Sequence, residues 1–219
     1  MIKKVFTVAV LLLSAFYGYG QVSWNVKAGM NVSRVTNWDI VEMKPGYQFG
    51  VGMDYFFTDH WGIQPSLMLI SKGFKDKGDY YRHFGDPIEP PPSEWSFEET
   101  QDRIYIELPV MLAYRFNISN TMKLVLNGGG YISYGIGGKY KVANIHEDGT
   151  EQKSSFSTFS PDFGPYGYEI ERFDAGIGAG TTIEYKNKYI FSLFGAWGLN
   201  GVVYVSKNQT YGLNIGYKF

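Results

Sequence analysis

Five stretches of the chain, each nine residues or longer, alternate apolar and polar side chains with period two: 24–33, 47–55, 103–115, 172–185 and 210–219. In the first, Trp24, Val26, Ala28, Met30 and Val32 oppose Asn25, Lys27, Gly29, Asn31 and Ser33. A period of two puts successive side chains on opposite faces of a strand, a pattern that a helix cannot use. Three less regular segments, 61–72, 122–135 and 189–200, fit between them and bring the expected total to eight strands. Beyond residue 20 no apolar run reaches the length of a membrane-spanning helix.

Alternation alone allows two architectures. A soluble sandwich turns its apolar face inward, whereas a transmembrane barrel turns that face to lipid and its polar face to the lumen. The strand lengths favour the barrel, since a tilted strand needs about 10 residues to cross a bilayer and ordinary strands average about 5–6. Glycine favours it too. Gly50, Gly52, Gly129, Gly176, Gly178, Gly180, Gly212 and Gly216 all fall on the polar face, where a small barrel has little room for side chains. Connection length weighs most. Short links at 57–60, 116–121 and 186–188 alternate with longer ones at 34–45, 73–102, 136–170 and 201–208. Outer-membrane barrels sort their turns and loops to opposite ends in this way. The expectation is an all-β, eight-stranded antiparallel up-and-down transmembrane β-barrel over residues 21–219. Pro65 and Pro109 fall inside expected strands and remove ladder donors, which predicts a bulge or a strand edge near each.

Composition agrees. The 219 residues include 39 aromatics (18 Tyr, 16 Phe, 5 Trp) and no Cys, with a net charge of −1. Without thiols, disulfide scaffolds, thiolate zinc sites and iron–sulfur clusters are excluded. Near-neutral charge argues against nucleic acid as a partner. Trp24, Tyr55, Trp61, Tyr114, Tyr185, Tyr189 and Tyr217 fall near strand ends on the short-turn side, as interfacial girdle residues do. At the N-terminus, Lys3 and Lys4 precede an apolar stretch from Val5 to Phe16, with Gly18 and Gly20 before Gln21. This has the form of a cleavable signal peptide over residues 1–20, so the chain is expected to be exported to the outer membrane.

The order of several short motifs resembles a known family. Ile63-Gln64-Pro65, Ser71-Lys72-Gly73, Ile106-Glu107-Leu108-Pro109, Asn127-Gly128-Gly129-Gly130-Tyr131, the Gly176-Ile177-Gly178-Ala179-Gly180 run and Gly216-Tyr217-Lys218-Phe219 are similar to the PorT-like outer-membrane β-barrel family of Bacteroidota. The resemblance covers most of residues 22–219. It implies a small eight-stranded barrel and little about activity; its best-known member serves a protein secretion system. The closing Tyr217 and Phe219 also resemble the signal read by the barrel-insertion machinery.

The chemistry-bearing residues give weaker signals. Gly176, Gly178 and Gly180 lie two apart on one strand face and open no helix, so they do not form a phosphate loop. His60, His83 and His146 stand far apart, which gives no metal site. A rim enzyme assembled from His83, Asp86, Ser93 and His146 is a distant reading. No catalytic residue and no cofactor are expected. On the polar face lie seven bases and four acids: Lys27, Asp54, Lys72, Arg103, Glu107, Arg115, Lys123, Arg172, Asp174, Glu184 and Lys218. Unpaired buried charges are costly, so these are expected to interlock as a lumen plug with Glu107 as hub; a narrow conducting pore is the alternative. The second long connection carries eight acids over residues 75–102, a proline run, and Trp95 and Phe97 as a candidate recognition surface. Expected partners are outer-membrane lipid, the barrel-insertion machinery and an extracellular or secretion-system protein.

Overall fold

Strands with one apolar and one polar face can bury every backbone donor only by pairing on both edges, and here the pairing closes into a ring. The computed structural model describes residues 21–37, 41–79, 96–145, 150–160 and 170–219. They contain β1 (Gln21–Val35), β2 (Glu42–Phe56), β3 (Trp61–Asp79), β4 (Ser96–Asn117), β5 (Met122–Gly137), β6 (Lys139–Ile145), β7 (Glu151–Ser157), β8 (Phe173–Tyr185), β9 (Tyr189–Gly198) and β10 (Asn208–Lys218). Eight of these form the wall, in the order β1-β2-β3-β4-β5-β8-β9-β10. Closure runs from Asn25↔Lys218 to Val35↔Asn208 between β1 and β10. Every neighbouring pair is antiparallel.

The faces are inverted relative to a water-soluble protein. Met30, Phe49, Val51, Leu108, Leu112, Ile177, Leu193 and Ile215 point outward and are exposed, while Asn25, Gln48, Asp54, Arg103, Asp174 and Glu184 are buried inside. Lipid, not water, suits such an exterior. The connections at 57–60, 118–121 and 186–188 lie at one end, with the start of β1 and the end of β10. Aromatic rings belt that end: Trp61 packs edge-on against Tyr114 (4.8 Å), Tyr114 against Phe116 (4.7 Å) and Tyr189 against Tyr217 (5.8 Å).

At the loop end the structure departs from the expected plan. The segment 136–170 is not one long loop but holds a hairpin, β6–β7. Likewise β3 and β4 remain paired from Gly73↔Asp102 out to Asp79↔Ser96, so their connection shrinks to 80–95. β6 docks on the outer part of β4, from Gln101↔Tyr140 to Ser96↔Ile145, where β5 no longer reaches. β4 changes partner between Gln101, paired with β6, and Ile104, paired with β5, and a register shift follows between Ile104 and Tyr105. Gly138, at φ 145°, turns the chain out of the wall; a Cβ there would collide with the Asp102 carbonyl. The result is a rim sheet, β3-β4-β6-β7, standing beyond the barrel.

Neither Pro65 nor Pro109 makes a bulge or an edge. The β2–β3 ladder skips the pairs between Gly52↔Ser66 and Tyr55↔Ile63, and the β3–β4 ladder skips those between Pro65↔Val110 and Met68↔Glu107. Register is unchanged across both gaps. Each proline therefore costs local hydrogen bonds without shifting a strand. The bulges lie elsewhere, between Met43 and Gln48 and at Ile104.

Candidate functional site

The lumen collects the polar faces of all eight wall strands, and two lysines organise its charge. In the outward half, Lys72 on β3 reaches Glu107 on β4 at 2.5 Å and Asp174 on β8 at 3.1 Å. Asp174 also accepts from Asn208 (2.7 Å) and from the Tyr131 hydroxyl (3.3 Å), and Arg103 donates to Asn208 (2.8 Å). In the turn-end half, Lys218 on β10 reaches Asp54 on β2 at 2.5 Å and Glu184 on β8 at 2.6 Å. Asn25 (3.3 Å) and Gln64 (2.9 Å) donate to Asp54, and Asn127 extends the chain to Gln64 (3.1 Å). Between the clusters a cavity of about 100 Å³ remains, lined in part by Lys27, Gln48, Asn127, Ser192 and Asn214.

Two lysines thus take all four lumen acids. Glu107 is not the hub, because it meets one lysine while Lys72 and Lys218 each hold two carboxylates. The other five lumen cations make no ion pair with a carboxylate among the described residues. Arg172 donates to the Gly135 and Phe159 carbonyls, and its guanidinium carbon lies 4.7 Å from the Phe159 ring centroid. Arg115 lies 3.4 Å from the Phe56 ring centroid. Lys27 and Lys123 are half-buried with neither arrangement.

The outward half is sealed by apolar side chains inside the barrel. Val35, Ile70, Phe74, Tyr105, Phe159, Ile170, Val202 and Val203 form one buried cluster drawn from β1, β3, β4 and two connections. This cap explains the irregular segments. β3 points Ile70 and Phe74 inward to it, so polar and apolar residues mix on one face, and a second buried cluster of Phe56, Ala113 and Val125 does the same on β5. Glycines on opposing strands admit the larger lumen groups. A Cβ on Gly176 would press on the Tyr131 hydroxyl at 2.6 Å, and one on Gly212 on the Phe194 ring at 2.7 Å.

The remaining candidates are scattered. Phe97 is not in a loop. It sits half-buried in β4, opposite Gly78 and Asn144, because β3 and β4 continue past the wall. Trp95, His83, Asp86, Ser93, His146 and the expected signal peptide lie outside the described residues. His60 occupies a turn, stacked on Tyr114 at 5.6 Å. Tyr217 faces outward in the aromatic belt, and the Phe219 backbone pairs with Trp24 (2.9 Å) at the barrel seam. No group of three or more His, Asp or Glu side chains suited to a metal occurs among the described residues.

A family model described as outer membrane protein beta-barrel domain matches residues 15–204. No curated protein matches the sequence. Among solved structures, the chain is similar to OprG from Pseudomonas aeruginosa (12% identity, TM-score 0.45, covering 92% of this chain and 98% of that one). It is also similar to Ail, the attachment invasion locus protein of Yersinia pestis (13%, TM-score 0.42, 92% and 99%), and to Neisserial surface protein A (11%, TM-score 0.42, 91% and 97%).

Proposed function

Because the chain belongs to the outer membrane protein beta-barrel domain family, we propose that this integral outer-membrane barrel acts as a closed, non-catalytic scaffold whose outward rim is its working surface. The observation that carries the reading is the double seal of the outward half. Lys72 is locked between Glu107 and Asp174, and the cluster of Phe74, Tyr105, Phe159 and Val203 lies in the same half. Opening a path through the lumen would strand buried charges, at a cost of several kcal/mol each. Beyond the seal, the rim sheet holds β6 and β7 away from the wall, with β7 almost wholly exposed. Loops and edges on a rigid scaffold are where binding is commonly placed.

On this reading residues 1–20 direct export, and the outer-membrane insertion machinery reads the end of β10 at Tyr217 and Phe219. Surrounding lipid and an extracellular protein are the partners. Reconstitution in planar bilayers tests the closed lumen: a silent membrane is expected, and discrete conductance steps would overturn it. Removing the hairpin 139–157 tests the rim. Retained heat-modifiable migration with lost partner capture is expected, and unchanged capture would discard the rim as the binding surface.

A second reading rests on the order of motifs from Ile63-Gln64-Pro65 to the closing Gly216-Tyr217-Lys218-Phe219. It places the chain in the PorT-like group of Bacteroidota, as an accessory of protein secretion. Deleting the gene and measuring exported proteins in the medium distinguishes the two readings, since the scaffold alone predicts unchanged export.

A further inference from the structure

The turn-end mouth has the opposite character to the sealed outward half. It opens into a hollow of about 530 Å³ lined by Arg115, Lys123, Lys186, Lys188 and Lys218, with Glu184 as the one acidic side chain among the lining residues described. Glu184 is already committed to Lys218 at 2.6 Å, and Lys218 is shared with Asp54. Arg115 has no carboxylate partner among the described residues. Its guanidinium lies over Phe56, and its buried Nε finds no acceptor. Lys123 stands directly across the β5–β8 ladder from Glu184, and that carboxylate accepts from Lys218 instead. The tight turn 186–188 adds Lys186 and Lys188, with Lys186 and Asn187 at φ 52° and 55°, conformations that hold the turn beside the mouth. With Asp54 counted beside Glu184, five cations meet two carboxylates, an excess of three; an α-carboxylate at Phe219 leaves two.

Mutual repulsion among these groups is relieved only by water or by an anion, and a guanidinium with an orphaned N–H supplies a directional donor that lysines lack. We propose that this mouth is a binding site for a phosphate-bearing anion, with Arg115 and Lys123 as the inner donors and Lys186 and Lys188 as the outer ones. In an outer-membrane barrel the short-turn end faces the periplasm, so the ligand approaches from that side. It can be a soluble phosphorylated molecule or an inner-leaflet phospholipid headgroup.

The test is calorimetric titration of the whole protein in phosphatidylcholine nanodiscs with pyrophosphate. Saturable, salt-sensitive binding is expected. The Arg115→Gln/Lys123→Gln pair should weaken it by about tenfold or more, as expected for losing hydrogen bonds to a charged ligand. Because Arg115 is buried, the solvent-exposed pair Lys186→Gln/Lys188→Gln serves as a second variant that leaves the wall intact, and it should weaken binding to a smaller degree. Heat-modifiable migration confirms that each variant is folded. Absence of saturable binding in the unmodified protein, or equal affinity in both variants, would overturn the site. Adding phosphatidylglycerol to the nanodiscs separates the two sources: lowered pyrophosphate affinity assigns the site to lipid headgroups, and unchanged affinity assigns it to a soluble anion.

Discussion

Lys72 and Lys218 have the same local chemistry, one ammonium between two carboxylates, and both triads are buried, but their neighbours differ. Lys72 sits behind an apolar cap, and its partner Asp174 is fully buried among Asn208 and Tyr131. Lys218 lines the open mouth, where Arg115 and Lys123 add uncompensated positive charge. An apolar cap lies beside one buried triad and a group of cations beside the other.

Lys72→Met should be among the most disruptive changes. It leaves Glu107 and Asp174 buried without their cation and should cost about 3–5 kcal/mol, the range for breaking a buried ion pair. Urea-driven unfolding from lipid vesicles measures it, and a loss below about 1 kcal/mol, the range of an exposed pair, would refute the buried triad. Lys218→Met should cost a similar amount, about 3–5 kcal/mol, because Asp54 and Glu184 are buried as deeply as Glu107 and Asp174. Phe74→Ala comes next. It removes a wholly buried ring from the cap and should cost about 3 kcal/mol, and it should let water-soluble quenchers reach the Tyr105 region from the loop side. Trp61→Ala touches neither triad. Losing its edge-on contact with Tyr114 should cost roughly 1 kcal/mol beyond the lost burial, with lumen properties unchanged. Conductance appearing in that variant would show that the belt, not the interior, controls closure.

Much of the wall was legible because its signals are local. Strands such as 103–115 and 172–185 declare themselves by strict alternation, and the tight links at 57–60 and 186–188 declare which end they occupy. The β6–β7 hairpin did not. Lys139–Ile145 has four apolar residues in seven but breaks its alternation at Ala143, and Glu151–Ser157 is polar and exposed nearly throughout. Short segments of this kind owe their strand form to a partner, here the part of β4 that outruns β5. Phe97 was misplaced for the same reason. The cap was hidden as well, since Ile70 and Phe74 break the polar pattern of their face and register in the sequence only as noise.

Sequence alone determined the strand-forming period, the inverted faces, the sorting of turns from loops and the set of eleven charges assigned to the lumen. All of these depend on neighbours within a few residues. Which of seven cations would take four acids was decided only in three dimensions. Lys72 finds Asp174 across 102 positions of chain and Asn208 finds Asp174 across 34, so the pairing is set by the diameter and stagger of the closed ring. Closure of the ring brings those groups to a few ångströms, seals one end with side chains from three strands and two connections, and leaves the other end with a positively charged hollow.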